Sequence, residues 1–449
     1  MAGPPRTRTG VPQQPFCAIV SQRWGRLYGV LPQTVTVTVA GIGADGWAGL
    51  SVRSRAAIEA AGVVVGGPRQ LALLPSSVAA RRVPLPRPLL PGLSELVASH
   101  APAGLVVLAS GDPMFYGIGS TLVRLLGAAR VRVLPHPSSV SLAAARLGWP
   151  VDDVDVVSLV GRPLSLLHPA LQPGRRVLAL TASTSAAADI RALLDARGFS
   201  ASPVTVLADL GGPAETVETV EPAEPTEPAD GRPHSALAIV AIDCRLDPGA
   251  ALLPRSPGLP DDAFEQDGQI TKREIRALAL AALAPVPGQL LWDVGAGSGS
   301  IGIEWMRTHQ ASRAIAVEPR ADRRDRIARN ATALGVPGLV VVPGAAPSAL
   351  AGLPQPDAVF IGGGVTASGV VQACWDALSA GGRLVANAVT IEGEIALAGW
   401  QRELGGSLTR IAVERAGGLG SFTAWRPALP VVQWSARKAP DTRGGRPPV

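Results

Sequence analysis

The stretch Leu290-Leu-Trp-Asp293-Val-Gly295-Ala-Gly297-Ser-Gly299 decides how the second half of the chain is read. Gln289–Val294 has the apolar run of a buried strand, and three alternating glycines follow at once. Glycines there let a ligand approach the backbone closely, and the next helix offers its N-terminus. Ala314–Val317 reads as a second strand ending in Glu318, 23 residues after Gly295. An acid at that place accepts hydrogen bonds from two ribose hydroxyls.

A Gly-x-Gly-x-Gly turn alone also suits a nicotinamide enzyme. Three details favour S-adenosylmethionine (SAM). The acid Asp293 precedes the glycines, Asp357 opens the strand Ala358–Ile361, and Gly381-Gly382 leads into the strand Arg383–Ala386. Leu339–Val342 is a further strand of the same unit. Ahead of it, Lys272–Leu283 is a helix closed by Pro285 and Pro287. Thr271 with Glu274 three residues on forms a capping box for that helix. Lys272, Arg273 and Arg276 crowd its start and are candidates for an anionic ligand.

The first half alternates in the same way. Val35–Val39 is a β-rich run that meets Gly41-Ile-Gly43-Ala-Asp45-Gly46. Ser54–Ala61 reads as a helix. Val63–Val65, Leu105–Ala109, Val131–Leu134, Val154–Leu159, Val177–Ala179, Val204–Leu207 and Ala236–Ile242 read as strands. Strands alternating with helical segments imply α/β layers. The strand at Ala109 ends in Ser110-Gly111-Asp112-Pro113, whose exposed peptide groups suit recognition of a nucleobase or an amino-acid tail. Asp112 serves equally well as a helix cap. His136-Pro-Ser-Ser139 reads as a second cleft wall, and the other histidines form no cluster, so no metal site is expected.

Composition sets the outer bounds. The 449 residues are 47% hydrophobic and 17% charged, enough for several packed domains. No apolar run reaches the roughly 18 residues that a membrane helix needs. Three distant cysteines match neither a disulfide framework nor a zinc spacing, so a reduced, cytoplasmic protein is expected. The net charge is +6, and all basic residues except Lys272 and Lys438 are arginines, suited to carboxylates and phosphates. Aromatics are only 4%, which argues against single-strand nucleic-acid binding. Residues 1–34 read as a flexible extension, 35–244 as a first domain, 245–262 as a linker, 263–430 as a second domain and 431–449 as a flexible tail. Within the first domain, residues 211–234 carry an acid at every third position with prolines between, the pattern of a solvated polyproline-like loop.

Together these motifs resemble the fused two-domain precorrin-6Y C5,15-methyltransferases (decarboxylating) of cobalamin biosynthesis, over about Thr34 to Leu429. Val39–Ser51, Ser110–Gly117 and Pro137–Ser141 are similar to tetrapyrrole methylases. Gly258–Arg276 and Asp293–Gly299 are similar to the C15-methylating, decarboxylating partner. The resemblance implies an N-terminal bilobal tetrapyrrole methylase fold, with SAM between its lobes, and a C-terminal Rossmann-like class I SAM-dependent methyltransferase fold. It implies two SAM per turnover, methylation of precorrin-6Y (precorrin-6B) at C5 and C15, loss of the ring C acetate carboxyl as carbon dioxide, and precorrin-8X as product. Thr271, Asp293, Gly295, Ala296, Gly297, Ser298, Gly299, Glu318 and Gly344 are the implied cofactor residues of the second domain. Ser110, Gly111, Asp112 and Pro113 are those of the first. Ala345 stands where many members carry an acid after the glycine. Gly41 and Gly43 are expected to shape the substrate cleft, and Arg273 and Arg276 to meet substrate carboxylates. A small tetrapyrrole substrate and a homo-oligomer are expected, with no nucleic-acid partner, no membrane and no metal. The competing readings are a two-domain SAM-dependent RNA methyltransferase, disfavoured because the strand Ala358–Ile361 ends in glycines rather than Asn-Pro-Pro-Tyr, and a non-enzymatic SAM-sensing protein.

Overall fold

The computed structural model describes residues 36–220 and 238–440. The expected extension 1–34, most of the acidic repeat and the last nine residues lie outside this range.

Among the described residues three large sheets and one two-stranded hairpin organise the chain. The first has strands β1 (Val37–Ile42), β2 (Val63–Gly66), β3 (Arg81–Pro84), β4 (Leu105–Ser110) and β5 (Val131–Leu134), all parallel, in the order β3-β2-β4-β1-β5. Its central strands are covered by helices on both faces, so β1 and β4 are buried on consecutive residues. The second sheet has β6 (Val154–Ser158), β7 (Arg176–Thr181), β8 (Val204–Ala208), β9 (Thr216–Val220) and β10 (Ala238–Asp243), in the order β6-β7-β10-β8-β9. Here only β6 and β7 run parallel; the rest pair antiparallel. These two sheets are the two lobes of the first domain.

The third sheet begins with β11 (Leu290–Val294), β12 (Arg313–Glu318), β13 (Val340–Pro343), β14 (Ala358–Ile361) and β15 (Arg383–Ala388), all parallel. It continues with β16 (Ser407–Ile411) and, after the hairpin β17 (Glu414–Leu419) and β18 (Phe422–Pro427), with β19 (Val431–Arg437). The order is β13-β12-β11-β14-β15-β19-β16, with β19 antiparallel to both neighbours. The strand order reverses between β11 and β14. In such sheets a crevice opens at that point, beyond the carboxyl ends of the strands.

Two sequence expectations are corrected by this architecture. Residues 431–437 are not tail: β19 is an inner strand of the sheet, and Trp434 is fully buried there with its indole N–H donating to the Gly405 carbonyl at 2.9 Å. The end of the acidic stretch before residue 221 is not a free loop either. Thr216–Val220 is an edge strand on β8, and Glu215 accepts hydrogen bonds from Arg146 and from the Gly211 N–H. An edge strand solvated on one face needs no apolar alternation, so its composition resembled a loop.

The segment 245–262 is docked along its length. Asp247 accepts from the Ser200 and Ala201 amides at 3.0 Å, and the Leu253 carbonyl accepts from Gln172 of the first domain and Arg307 of the second. Leu259 is fully buried among second-domain side chains, so that domain's core begins before residue 263. Among the described residues no helix is long and apolar enough to cross a membrane.

Removing Trp434 tests the place of β19. Trp434→Ala should destabilise the second domain by about 3–5 kcal/mol in denaturant unfolding. A loss below about 1 kcal/mol, the size of an ordinary surface change, would remove β19 from the core.

Candidate functional site

Each domain carries one cleft at the ends of its strands. The larger, about 950 Å³, lies beyond β11 and β12 in the second domain. Thr271, Asp293, Gly295, Ala296, Gly297, Ser298, Glu318 and Gly344 all line it, so eight of the nine residues expected there come together. Gly299 does not reach the cleft. It precedes the helix Ser300–Thr308 in the left-handed region at φ +76°, and a Cβ there would stand 2.9 Å from Ile327. Gly295 needs both of glycine's freedoms, since its φ is +70° and a Cβ would fall 2.8 Å from the Gly363 nitrogen.

The acids of this cleft are held by backbone. Glu318 accepts from the Gly297 N–H at 2.9 Å and from the Arg320 N–H at 3.1 Å, which fixes its carboxylate across the glycine turn. Asp293 accepts from the Gly302 N–H at 2.9 Å and is 1% exposed. Burial pushes its carboxyl up to about 7; the Gly302 N–H opposes the rise, and the neighbouring Glu318 charge adds to it.

The wall facing the glycine turn is the segment 258–272, and one buried arginine holds it. Arg276 is fully buried. Its Nε donates to Glu304, its Nη1 to Asp261 at 3.1 Å and to the Thr271 carbonyl, and its Nη2 to the Leu259 carbonyl. Its guanidinium also sits 4.8 Å over the Phe264 ring. Glu304 in turn accepts from the Gly258 and Leu259 amides. Arg276 therefore meets no substrate: it is spent inside the protein. Arg273 is exposed and does not line the cleft. The cations that do are Lys272, Arg320, Arg323 and Arg415. The expected capping box is also absent, because the helix starts at Arg273 with Lys272 as its uncapped N-cap. Glu274 instead pairs with Arg415 on β17. Arg415 and the hairpin ends were illegible in the sequence, since they join the cleft from far along the chain with no motif around them.

The smaller cleft, about 340 Å³, lies between the lobes of the first domain. Gly43, Ser110, Gly111 and Asp112 line it from one lobe, and Leu180, Thr181, Leu207 and Ile239 from the other. Pro113 is buried beneath the turn, and Gly41 lies behind it rather than in the cleft. A Cβ on Gly41 would come within 2.1 Å of the Gly111 carbonyl oxygen, so the two turns touch only because residue 41 has no side chain. Asp112 is no helix cap: its Oδ1 accepts from the Met114 N–H at 2.8 Å, and the next helix starts at Ile118. Pro137, Ser138 and Ser139 form a cleft wall, whereas His136 packs behind Gly43 with its Nε2 3.2 Å from Asp45.

Two measurements check this reading of the second domain. Arg276→Ala leaves Glu304 buried without its cation, which should cost about 3–5 kcal/mol of unfolding free energy; a near-neutral result would show that the clasp does not hold the wall. Asp293 binds its proton more tightly when folded (about 7) than at its ordinary value of 3.8. The stability this contributes is complete below about pH 4 and is lost as pH rises towards 7, by up to about 4 kcal/mol. His168, pushed down to about 3, contributes with the opposite sign over the same range, so the test is a difference. From pH 4 to 8 the unfolding free energy of the wild type in urea should fall relative to that of Asp293→Asn, and parallel profiles would refute the assignment.

Comparison with known proteins follows the same division. Residues 36–225 match the tetrapyrrole (corrin/porphyrin) methylases, and residues 262–438 match the precorrin methyltransferase domain. The chain is 51% identical over 402 residues to a precorrin-6Y C(5,15)-methyltransferase [decarboxylating] of Sinorhizobium, covering 90% of this chain and 96% of that relative. It is 36% identical over 183 residues to a probable cobalt-precorrin-6B C(15)-methyltransferase (decarboxylating) of Pyrobaculum calidifontis, covering 39% of this chain and 93% of the relative. It is 35% identical over 162 residues to the cobalt-precorrin-7 C(5)-methyltransferase of Salmonella typhimurium, covering 36% of this chain and 79% of the relative. With that extent of identity across both domains, the chain belongs to the family of precorrin-6Y C(5,15)-methyltransferases (decarboxylating).

Proposed function

We propose that this chain transfers two methyl groups to precorrin-6Y (precorrin-6B), one at C5 and one at C15, and removes the ring C acetate carboxyl as carbon dioxide to give precorrin-8X. The first domain carries C5 methylation; the second carries C15 methylation and decarboxylation. The observation that supports this most strongly is the presence of two separate clefts in one chain, each built on a glycine turn at strand ends. Relatives named for the C5 or the C15 reaction alone each match about a third of this chain. A homo-oligomer, expected on the family resemblance, is part of the same reading.

The methyl donor is S-adenosylmethionine, as the family implies. Its sulfonium supplies a methyl group to an electron-rich carbon by in-line displacement. The residues of the larger cleft fit such a ligand. Glu318, fixed at the end of β12, offers a carboxylate to a pair of ribose hydroxyls. The backbone of Gly295–Gly297, held in place by its own N–H bonds to the Val317 carbonyl and Glu318, and the apolar faces of Ile270 and Ile301 line the same space. The smaller cleft sits near the lower end of the roughly 300–1,000 Å³ usual for small-ligand sites. It suits a donor enclosed between the lobes with a larger acceptor outside.

A reduced tetrapyrrole has enamine-like meso carbons, so neither domain needs a strong base to create the nucleophile. What the chain supplies is position, worth up to about 7–11 kcal/mol in favourable cases. For decarboxylation the electron pair of the broken C–CO2 bond passes into the conjugated ring, and a proton from solvent then turns the remaining CH2 into a methyl group. The protein's part is to hold the carboxylate out of water until the bond breaks.

Incubation with reduced precorrin-6 and labelled SAM should give, by mass spectrometry, two methyl gains and the loss of one carboxyl group. Gly295→Ala, which crowds the second-domain loop against Gly363, should abolish C15 methylation and decarboxylation, while C5 methylation persists when the C15-methylated, decarboxylated macrocycle is supplied instead. If it left C15 methylation and decarboxylation intact but removed C5 methylation, the assignment of activities to domains would be reversed.

A further inference from the structure

We propose that Arg69 is the carboxylate receptor of the first-domain cleft. The inference rests on the functional reading above, which makes the acceptor a polycarboxylate and the donor an amino-acid derivative.

Arg69 is the single cation among the described residues that line this cleft. It lies in the short helix Pro68–Ala72, directly after β2 and the Gly66-Gly67 pair. Its backbone position is fixed by its neighbour. Gln70 is buried, accepts from the Gly67 N–H at 2.7 Å and donates to Ser110 Oγ at 3.0 Å. Gln70 therefore ties this helix to the Ser110–Asp112 turn, and Arg69 is held at the edge of that turn.

The guanidinium itself is unspent. It is half-buried yet makes no hydrogen bond or close ion pair with any described residue. Burial acts to lower its pKa, and the charge of Asp209, on the opposite lobe, opposes this. The contrast with the second domain is sharp. There each described cation lining the cleft has an acid at ion-pair distance: Lys272 with Asp261, Arg320 with Asp322, Arg323 with Asp267 and Arg415 with Glu274. A partly desolvated guanidinium without an acceptor is costly unless a ligand completes it. A planar fork with two parallel N–H donors matches a carboxylate. Two carboxylates reach this cleft in the proposed reaction, the amino-acid tail of SAM and a side chain of the macrocycle, and both present the same chemistry to Arg69.

The test uses the full-length chain with reduced precorrin-6 and SAM. In Arg69→Ala, C5 methylation should fall while C15 methylation and decarboxylation persist, so the product carries one methyl gain and one lost carboxyl group. Loss of a charge-assisted bond should appear as an affinity change of about ten- to hundredfold. If KM for the macrocycle rises and SAM titration is unchanged, the carboxylate belongs to the macrocycle. If calorimetry loses one of two SAM sites, it belongs to the donor. Arg69→Lys keeps the charge without the fork and should recover part of the loss. Wild-type C5 kinetics and SAM binding in Arg69→Ala would overturn the proposal. So would an equal loss in both variants with a lowered unfolding midpoint, which marks a structural role. Should the wild type transfer no methyl group to this macrocycle, the functional reading fails first. SAM titration of Arg69→Ala then decides alone, and an unchanged profile overturns the receptor.

Discussion

The second domain depends on the buried ion pair of Arg276 and Glu304. A guanidinium out of water must place its donors on acceptors, and Arg276 does so on two carboxylates and two backbone carbonyls. Glu304 completes the arrangement by taking two amides of the incoming chain. Such a pair adds little stability over a well-packed apolar core. Its consequence is geometric: the polar segment 258–272 becomes a fixed wall facing the glycine turn. Asn330 does similar work further out, joining the Glu265 backbone to the Ser298 carbonyl.

The first domain reaches a comparable result without buried charge. Its turns meet because side chains are missing at Gly41 and Gly111, and the cleft is closed by a second lobe of different topology. The two domains are joined by polar contacts rather than a loose tether. Arg307 donates to the Leu334, Leu253 and Pro254 carbonyls. His168 of the first domain lies close enough to Arg197 and Arg307 for burial and those cations to push it down to about 3. A neutral imidazole is therefore built into that contact over the whole physiological range.

Among the described residues neither cleft contains a nucleophile–base pair, and the proposed chemistry asks for none. An acceptor that is already electron-rich leaves the protein with orientation, desolvation and charge placement. The carboxylate of Glu318, set by backbone donors, is a group of that kind.

The sequence by itself determined the α/β layering of both domains and both glycine turns. Apolar runs, glycine spacing and a strand-end acid are local features, and local sterics dictate what they become. It also placed most of the candidate cofactor residues at a cleft, because these sit on the turns themselves. Tertiary structure decided the rest. Arg276 looked like a ligand-binding cation and became an internal clasp, because only folding shows that Glu304 and Asp261 surround it. Arg415 and Arg69 carried no local signal, and their roles follow from which elements the fold brings to a cleft edge. Residues 431–437 read as tail because a chain end has no following motif to announce a strand. Their burial was settled by the gap between β15 and β16, which only the assembled sheet contains.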